Sequence, residues 1–118
     1  MQYLLLIYSE EPTAEPSQAE IDASMAEWWD YDGAIRKSGV YLAGQALQPS
    51  ETATTLRLQA GERVVTDGPF AETREVLGGY YLVDVPDLDT ALDWAERCPG
   101  AKYGSLEVRP IMEFDTAP

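Results

Sequence analysis

The densest group of side chains able to do chemistry is Asp67, Glu72, Thr73, Arg74 and Glu75. It surrounds a Gly68–Pro69 turn and stands just ahead of Gly78–Gly79. Two carboxylates can divide acid and base roles when their surroundings separate their pKa values. Asp67 and Glu72 are the pair that would do so, with Arg74 as a neighbouring cation. Glycines at 78 and 79 would let a ligand approach the backbone. Tyr8, Tyr80 and Tyr81 would give apolar walls with polar tips. The same residues also have a local role: Asp67 making an Asx turn, Glu72 and Arg74 solvated, and the glycines packed on a neighbour.

Other chemistry is narrowed by what the chain lacks. There is no histidine, so the commonest general base at neutral pH and the commonest metal ligand are missing. A serine, threonine or cysteine nucleophile has no imidazole to activate it. The single cysteine, Cys98, excludes an intrachain disulfide and leaves zinc only carboxylates and one thiolate. Nothing in the sequence asks for a metal or a cofactor. Only Arg97 stands beside Cys98 to activate it, so a buried, inert thiol is expected. Asp84 lies in an apolar strand and is either solvated at the strand end or a buried acid. Met25 and Met112 are expected to fill core gaps.

A chain of 118 residues fits one domain, residues 1–118. Such a domain buries roughly two thirds of its unfolded surface. The net charge is −13, and the first basic residue, Arg36, follows eight acids. Direct nucleic-acid binding and an anionic membrane surface are therefore disfavoured as partners. The apolar run Tyr3–Tyr8 is too short for a signal peptide. No stretch approaches the ~20 apolar residues of a membrane span. A cytoplasmic protein is expected.

The elements that must position these residues follow from pattern. Gln2–Ser9 is a strand apolar on both faces. Ser17 and Glu20 form a capping box. It opens a helix with Ile21, Met25, Trp28 and Ile35 as its stripe and Gly39 as its stop; Trp29 and Tyr31 sit off that stripe. Val40–Leu47 is a second strand interrupted by Gly44. Thr54–Leu58 and Arg63–Thr66 pair around a turn at 59–62. Phe70, after the Gly–Pro turn, is expected to pin that loop to the core. Val76–Val85 is the next strand. Asp87 caps a second helix with Leu88, Ala91, Leu92 and Ala95 inward, ended by Pro99–Gly100. Gly104–Pro110 is the last strand, which Ile111–Phe114 could extend, and residues 115–118 should fray.

That order, two βαβ-like halves, predicts an α+β fold with a ferredoxin-like sheet and both helices on one face. The other face would be open, although the first strand and Tyr80–Val83 are apolar on both sides. A second copy packed sheet to sheet is the simplest cover. A homodimer is therefore expected.

Met1–Tyr8, Thr66–Thr73, Leu77–Tyr81 and Val108–Ile111 together resemble the DGPF-domain proteins of the YCII-related family. The resemblance spans nearly the whole chain. It implies a dimeric α+β barrel and a bacterial protein of unassigned activity. Many YCII relatives carry a His–Asp pair; here histidine is absent, and the aspartate expected before a proline at the end of the second helix falls on Cys98. DGPF proteins also occur beside, or joined to, extracytoplasmic-function sigma factors. Three functions stay open. One is a small-molecule-binding domain at Asp67, Glu72, Arg74, Gly78, Gly79, Tyr8 and Tyr80. Another is a non-catalytic regulatory module of sigma-factor-dependent transcription. The last is an enzyme using Asp67 and Glu72 as acid and base.

Overall fold

The computed structural model describes residues 1–114, so the expected fraying of 115–118 lies outside the described residues. The elements are β1 (Gln2–Ser9), α1 (Gln18–Lys37), β2 (Tyr41–Ala46), β3 (Thr54–Gln59), β4 (Glu62–Asp67), β5 (Val76–Asp84), α2 (Leu88–Arg97), α3 (Gly100–Tyr103) and β6 (Gly104–Pro110), with a single 3-10 turn at Ser50–Thr52. β2, β5, β1 and β6, in that order, form one antiparallel sheet. This is the ferredoxin-like arrangement. β3 and β4 stand apart as a two-stranded hairpin. No helix among the described residues is long and apolar enough to cross a membrane.

Local chemistry sets the boundaries. The Ser17 side chain accepts from the Glu20 amide while the Glu20 carboxylate accepts from the Ser17 amide, so both halves of the capping box form. Arg36 and Lys37 lie in the last turn of α1, where cations oppose its dipole. Gly39 follows with a φ of 88°. Asp87 accepts from the Thr90 amide and hydroxyl at the start of α2. Pro99–Gly100 ends α2, as expected, but Gly100–Tyr103 then makes one further helical turn, a third helix.

The core lies between the helices and one sheet face: Tyr3, Leu5 and Ile7 of β1, Tyr81 and Val83 of β5, Tyr31 and Ile35 of α1, and Ala91 and Ala95 of α2. Tyr31 belongs here and not off the stripe, because its hydroxyl donates to the Trp94 carbonyl at 2.8 Å and its ring meets those of Tyr81 and Trp94 edge to face. In exchange, Ile21 and Met25 are largely exposed. Met112 and Phe70 are also exposed, at 75% and 78%. Among the described residues nothing covers them, so neither a core filler nor a loop anchor is formed. Leu88 and Leu92 remain partly exposed while Ala91 and Ala95 are buried. Ile111 adds one bond to the Gln2 carbonyl but no further strand.

The other sheet face carries Leu4 opposite Leu82 and Leu6 opposite Tyr80. The core lies on the Tyr3–Leu5–Ile7 side, so on this face the four have only strand neighbours, such as Arg109 opposite Leu4 and Glu107 opposite Leu6.

Candidate functional site

A cavity of about 590 Å³ opens between α1 and the β2–β5 end of the sheet. One helix face supplies Met25, Trp28, Trp29, Asp32 and Arg36, spaced at three and four residues. Gly44 and Gln45 of β2 and Gly78 to Tyr81 of β5 complete the far side. Trp29 is 66% exposed at its rim.

Its polar centre is a chain of three side chains. Tyr81 donates its hydroxyl to Asp32 Oδ1 at 2.9 Å. Arg36 donates Nε to Asp32 Oδ2 at 2.7 Å. The Arg36 guanidinium also lies over the Tyr41 ring, 4.3 Å from its centre. Burial, then the bond to Asp32, raises the Tyr81 phenol well above the ordinary tyrosine range. It therefore stays a hydroxyl donor at any physiological pH. The bond to Asp32 holds Arg36 above its usual value as well. The result is a fixed donor–carboxylate–guanidinium row along an aromatic wall. Such a row can orient a bound molecule through directed hydrogen bonds.

The strands beside the cavity are irregular. Ile7 of β1 pairs with Gly79 and Tyr8 with Leu77, leaving Gly78 as the extra residue of a bulge. A side chain at Gly79 would strike the Gln45 carbonyl, at 2.8 Å from its Cβ. Glycine there is demanded by the approach of β2. A Cβ at Gly78 would meet only the Ile7 carbonyl, at 3.9 Å, so that position has room.

Gly78, Gly79 and Tyr80 thus line the cavity, while Asp67, Glu72, Arg74 and Tyr8 lie outside it. Asp67 ends β4 and is exposed. Gly68 takes a φ of 97°, a conformation glycine reaches without strain, and its carbonyl accepts from the Thr55 hydroxyl. Glu72 is exposed, and Arg74 reaches back to an ion pair with Glu10. Tyr8 sits on the opposite sheet face across from Leu77 and Ser105. Asp84 is exposed at its strand end. Among the described residues no three of Asp, Glu, His and Cys gather as a metal-holding set.

Asp32 and Arg36 escaped the sequence reading. The available signal was an acid–base pair four residues apart, directly after two adjacent tryptophans. Its use is invisible locally, because the partner of Asp32 at the cavity, Tyr81, lies 49 positions along the chain.

A family model described as the YCII-related domain matches residues 1–115. An uncharacterized protein of Rhizobium meliloti (strain 1021), R00369, is 40% identical over 119 residues, covering 97% of this chain and 94% of that one. Among solved structures, 5-chloro-2-hydroxyhydroquinone dehydrochlorinase (TftG) from Burkholderia phenoliruptrix AC1100, in complex with 2,5-dihydroxybenzoquinone, is similar at a TM-score of 0.53. That likeness covers 97% of this chain and 96% of that one at 15% identity, and it is a likeness of fold.

Proposed function

The chain belongs to the YCII-related family, and from that premise we propose that it binds a small organic molecule in the cavity beneath α1. Asp32, Arg36 and Tyr81 form the polar side of this site, and Trp28 and Trp29 its apolar wall. One observation carries the proposal. Asp32 is held by a hydroxyl at one oxygen and a guanidinium at the other, inside a concave space large enough for a metabolite. Pre-set polar groups in an aromatic-lined cleft are the usual composition of a ligand site. The carboxylates first suspected, Asp67 and Glu72, stand on the exposed 67–75 segment away from this cleft.

A thermal-shift screen of a metabolite library tests the assignment. Hits should lose their stabilising shift in Asp32→Asn and Trp29→Ala variants and keep it in Asp67→Ala and Glu72→Ala. Hits that survive the first pair and vanish in the second would move the site to the Gly68–Pro69 loop.

A homodimer, closing into an α+β barrel, is the second proposal, favoured by the uncovered sheet face. The radius of gyration, 16.8 Å, exceeds the ~13.5 Å expected of a compact chain this long. The β3–β4 hairpin adds Leu56 opposite Val65, both exposed, with Leu58 beside them. A lone two-stranded hairpin is marginal in water unless something packs on it. Light scattering at micromolar concentration should give twice the chain mass, and Leu6→Lys should halve it. A monomer in the unmutated protein would sink this proposal.

A further inference from the structure

We infer that the ligand class of the α1 cavity is a planar aromatic carboxylate, an inference that rests on the binding role proposed above. The walls argue for a planar ring. Trp28 and Trp29 come from one helix turn, and Tyr81 of β5 lines the same cavity. Aromatic faces gain most from a flat π-system set against them. Trp29 is left 66% exposed at the rim, where a ring could cover it.

The polar groups argue for an anion. Asp32 has a bond at each oxygen, from Tyr81 and from Arg36, and its charge is matched by the guanidinium. A cationic ligand would therefore meet a carboxylate whose charge is already matched. Arg36 spends only Nε on Asp32, and its two Nη atoms have no hydrogen-bond partner among the described residues. The Tyr41 ring, 4.3 Å from the guanidinium carbon, and the bond to Asp32 both hold the guanidinium at the cavity. Its Nη edge is therefore presented as a ready fork. Two parallel N–H bonds to a carboxylate match that fork, and being charge-assisted they are among the stronger hydrogen bonds. No other cation lines the cavity.

The test uses three probes on the whole protein, followed by tryptophan fluorescence and calorimetry: 2-naphthoate, its neutral amide 2-naphthamide, and octanoate. 2-Naphthoate should quench tryptophan emission and bind at least about tenfold tighter than either comparison compound. Arg36→Met should bring 2-naphthoate down to the affinity of the amide. Arg36→Lys, which keeps charge but not the fork, should fall between, and a native circular dichroism spectrum confirms each variant is folded. Octanoate binding as tightly as 2-naphthoate would overturn the aromatic assignment. Equal affinity for acid and amide, or indifference to Arg36→Met, would overturn the carboxylate. Absence of binding by all three would overturn the inference outright. The broader binding role fails separately, when library hits ignore Asp32→Asn and Trp29→Ala.

Discussion

The hydroxyl of Tyr81 donates to Asp32 Oδ1 at 2.9 Å, tying the middle of β5 to the C-terminal half of α1. The bond matters because α1 rests on the sheet mainly through Trp28, Tyr31 and Ile35. Asp32 is thus both a cavity-lining group and a strut. Its second oxygen binds Arg36, so the strut also fixes the only cation at the cavity.

Tyr81→Phe should therefore destabilise the fold modestly and loosen the site. The ring and its edge-to-face contacts with Tyr31 and Tyr41 remain. Only a hydrogen bond is lost, about 0.5–1.5 kcal/mol. Asp32 is 27% exposed and can take a water instead, which keeps the cost at the low end. Urea unfolding should show a lower midpoint at an unchanged slope. An unchanged midpoint would mean the bond is not formed in solution.

Alkaline pH should unfold the protein through two tyrosines. Burial is the first cause raising both Tyr31 and Tyr81 far above their ordinary value. In the unfolded chain they ionise near pH 10. A raised folded value means the folded state holds the proton while the unfolded state releases it. Stability is then complete below about pH 10 and falls as pH rises beyond it. Absorbance titration should show some of the seven tyrosines ionising only together with loss of near-ultraviolet circular dichroism. Tyr31→Phe should flatten the decline. Smooth ionisation of every tyrosine in the folded protein would contradict this burial.

These two residues also show where sequence was readable. Local signals carried through: Ser17 with Glu20, Asp87 with Thr90, and the turn at Ala60–Gly61, both of which take positive φ. Each depends on residues a few positions apart. Burial was less legible because it depends on what arrives from elsewhere. Phe70 and Met112 are apolar yet exposed, since no element among the described residues covers them. Tyr31 is buried because Trp94, far along the chain, offers it a carbonyl. The cavity was hidden for the same reason: Asp32 gains its meaning from Tyr81, 49 positions away.

Glycine replacements should separate steric need from mere presence. Gly104 sits opposite Ser9 in the β1–β6 ladder. A Cβ there would overlap the Tyr8 carbonyl, a backbone group that cannot move without parting the strands. Gly104→Ala should cost more than about 3 kcal/mol, in the range of severe overpacking. Gly78→Ala, whose Cβ meets nothing closer than 3.9 Å, should change the melting temperature little. Equal melting temperatures for the two variants would show that β6 does not lie so close to β1.

Cys98 should behave as a sealed thiol. It is 1% exposed at the C-terminal end of α2. Burial pushes its pKa up to about 11, against a smaller opposing pull from the Gly100 amide. At pH 8 only about one thiol in a thousand would be thiolate, the reactive form. A disulfide reagent should therefore label the folded protein no faster than it unfolds, and label it at once in urea. Cys98→Ser should lower stability by about 1–3 kcal/mol, because a hydroxyl is costlier than a thiol to bury without a partner. Cys98→Ala should leave binding at the α1 cavity intact, since Cys98 is not among its lining residues. Rapid stoichiometric labelling of the native protein would instead make Cys98 an accessible nucleophile and require the α2–α3 junction to open.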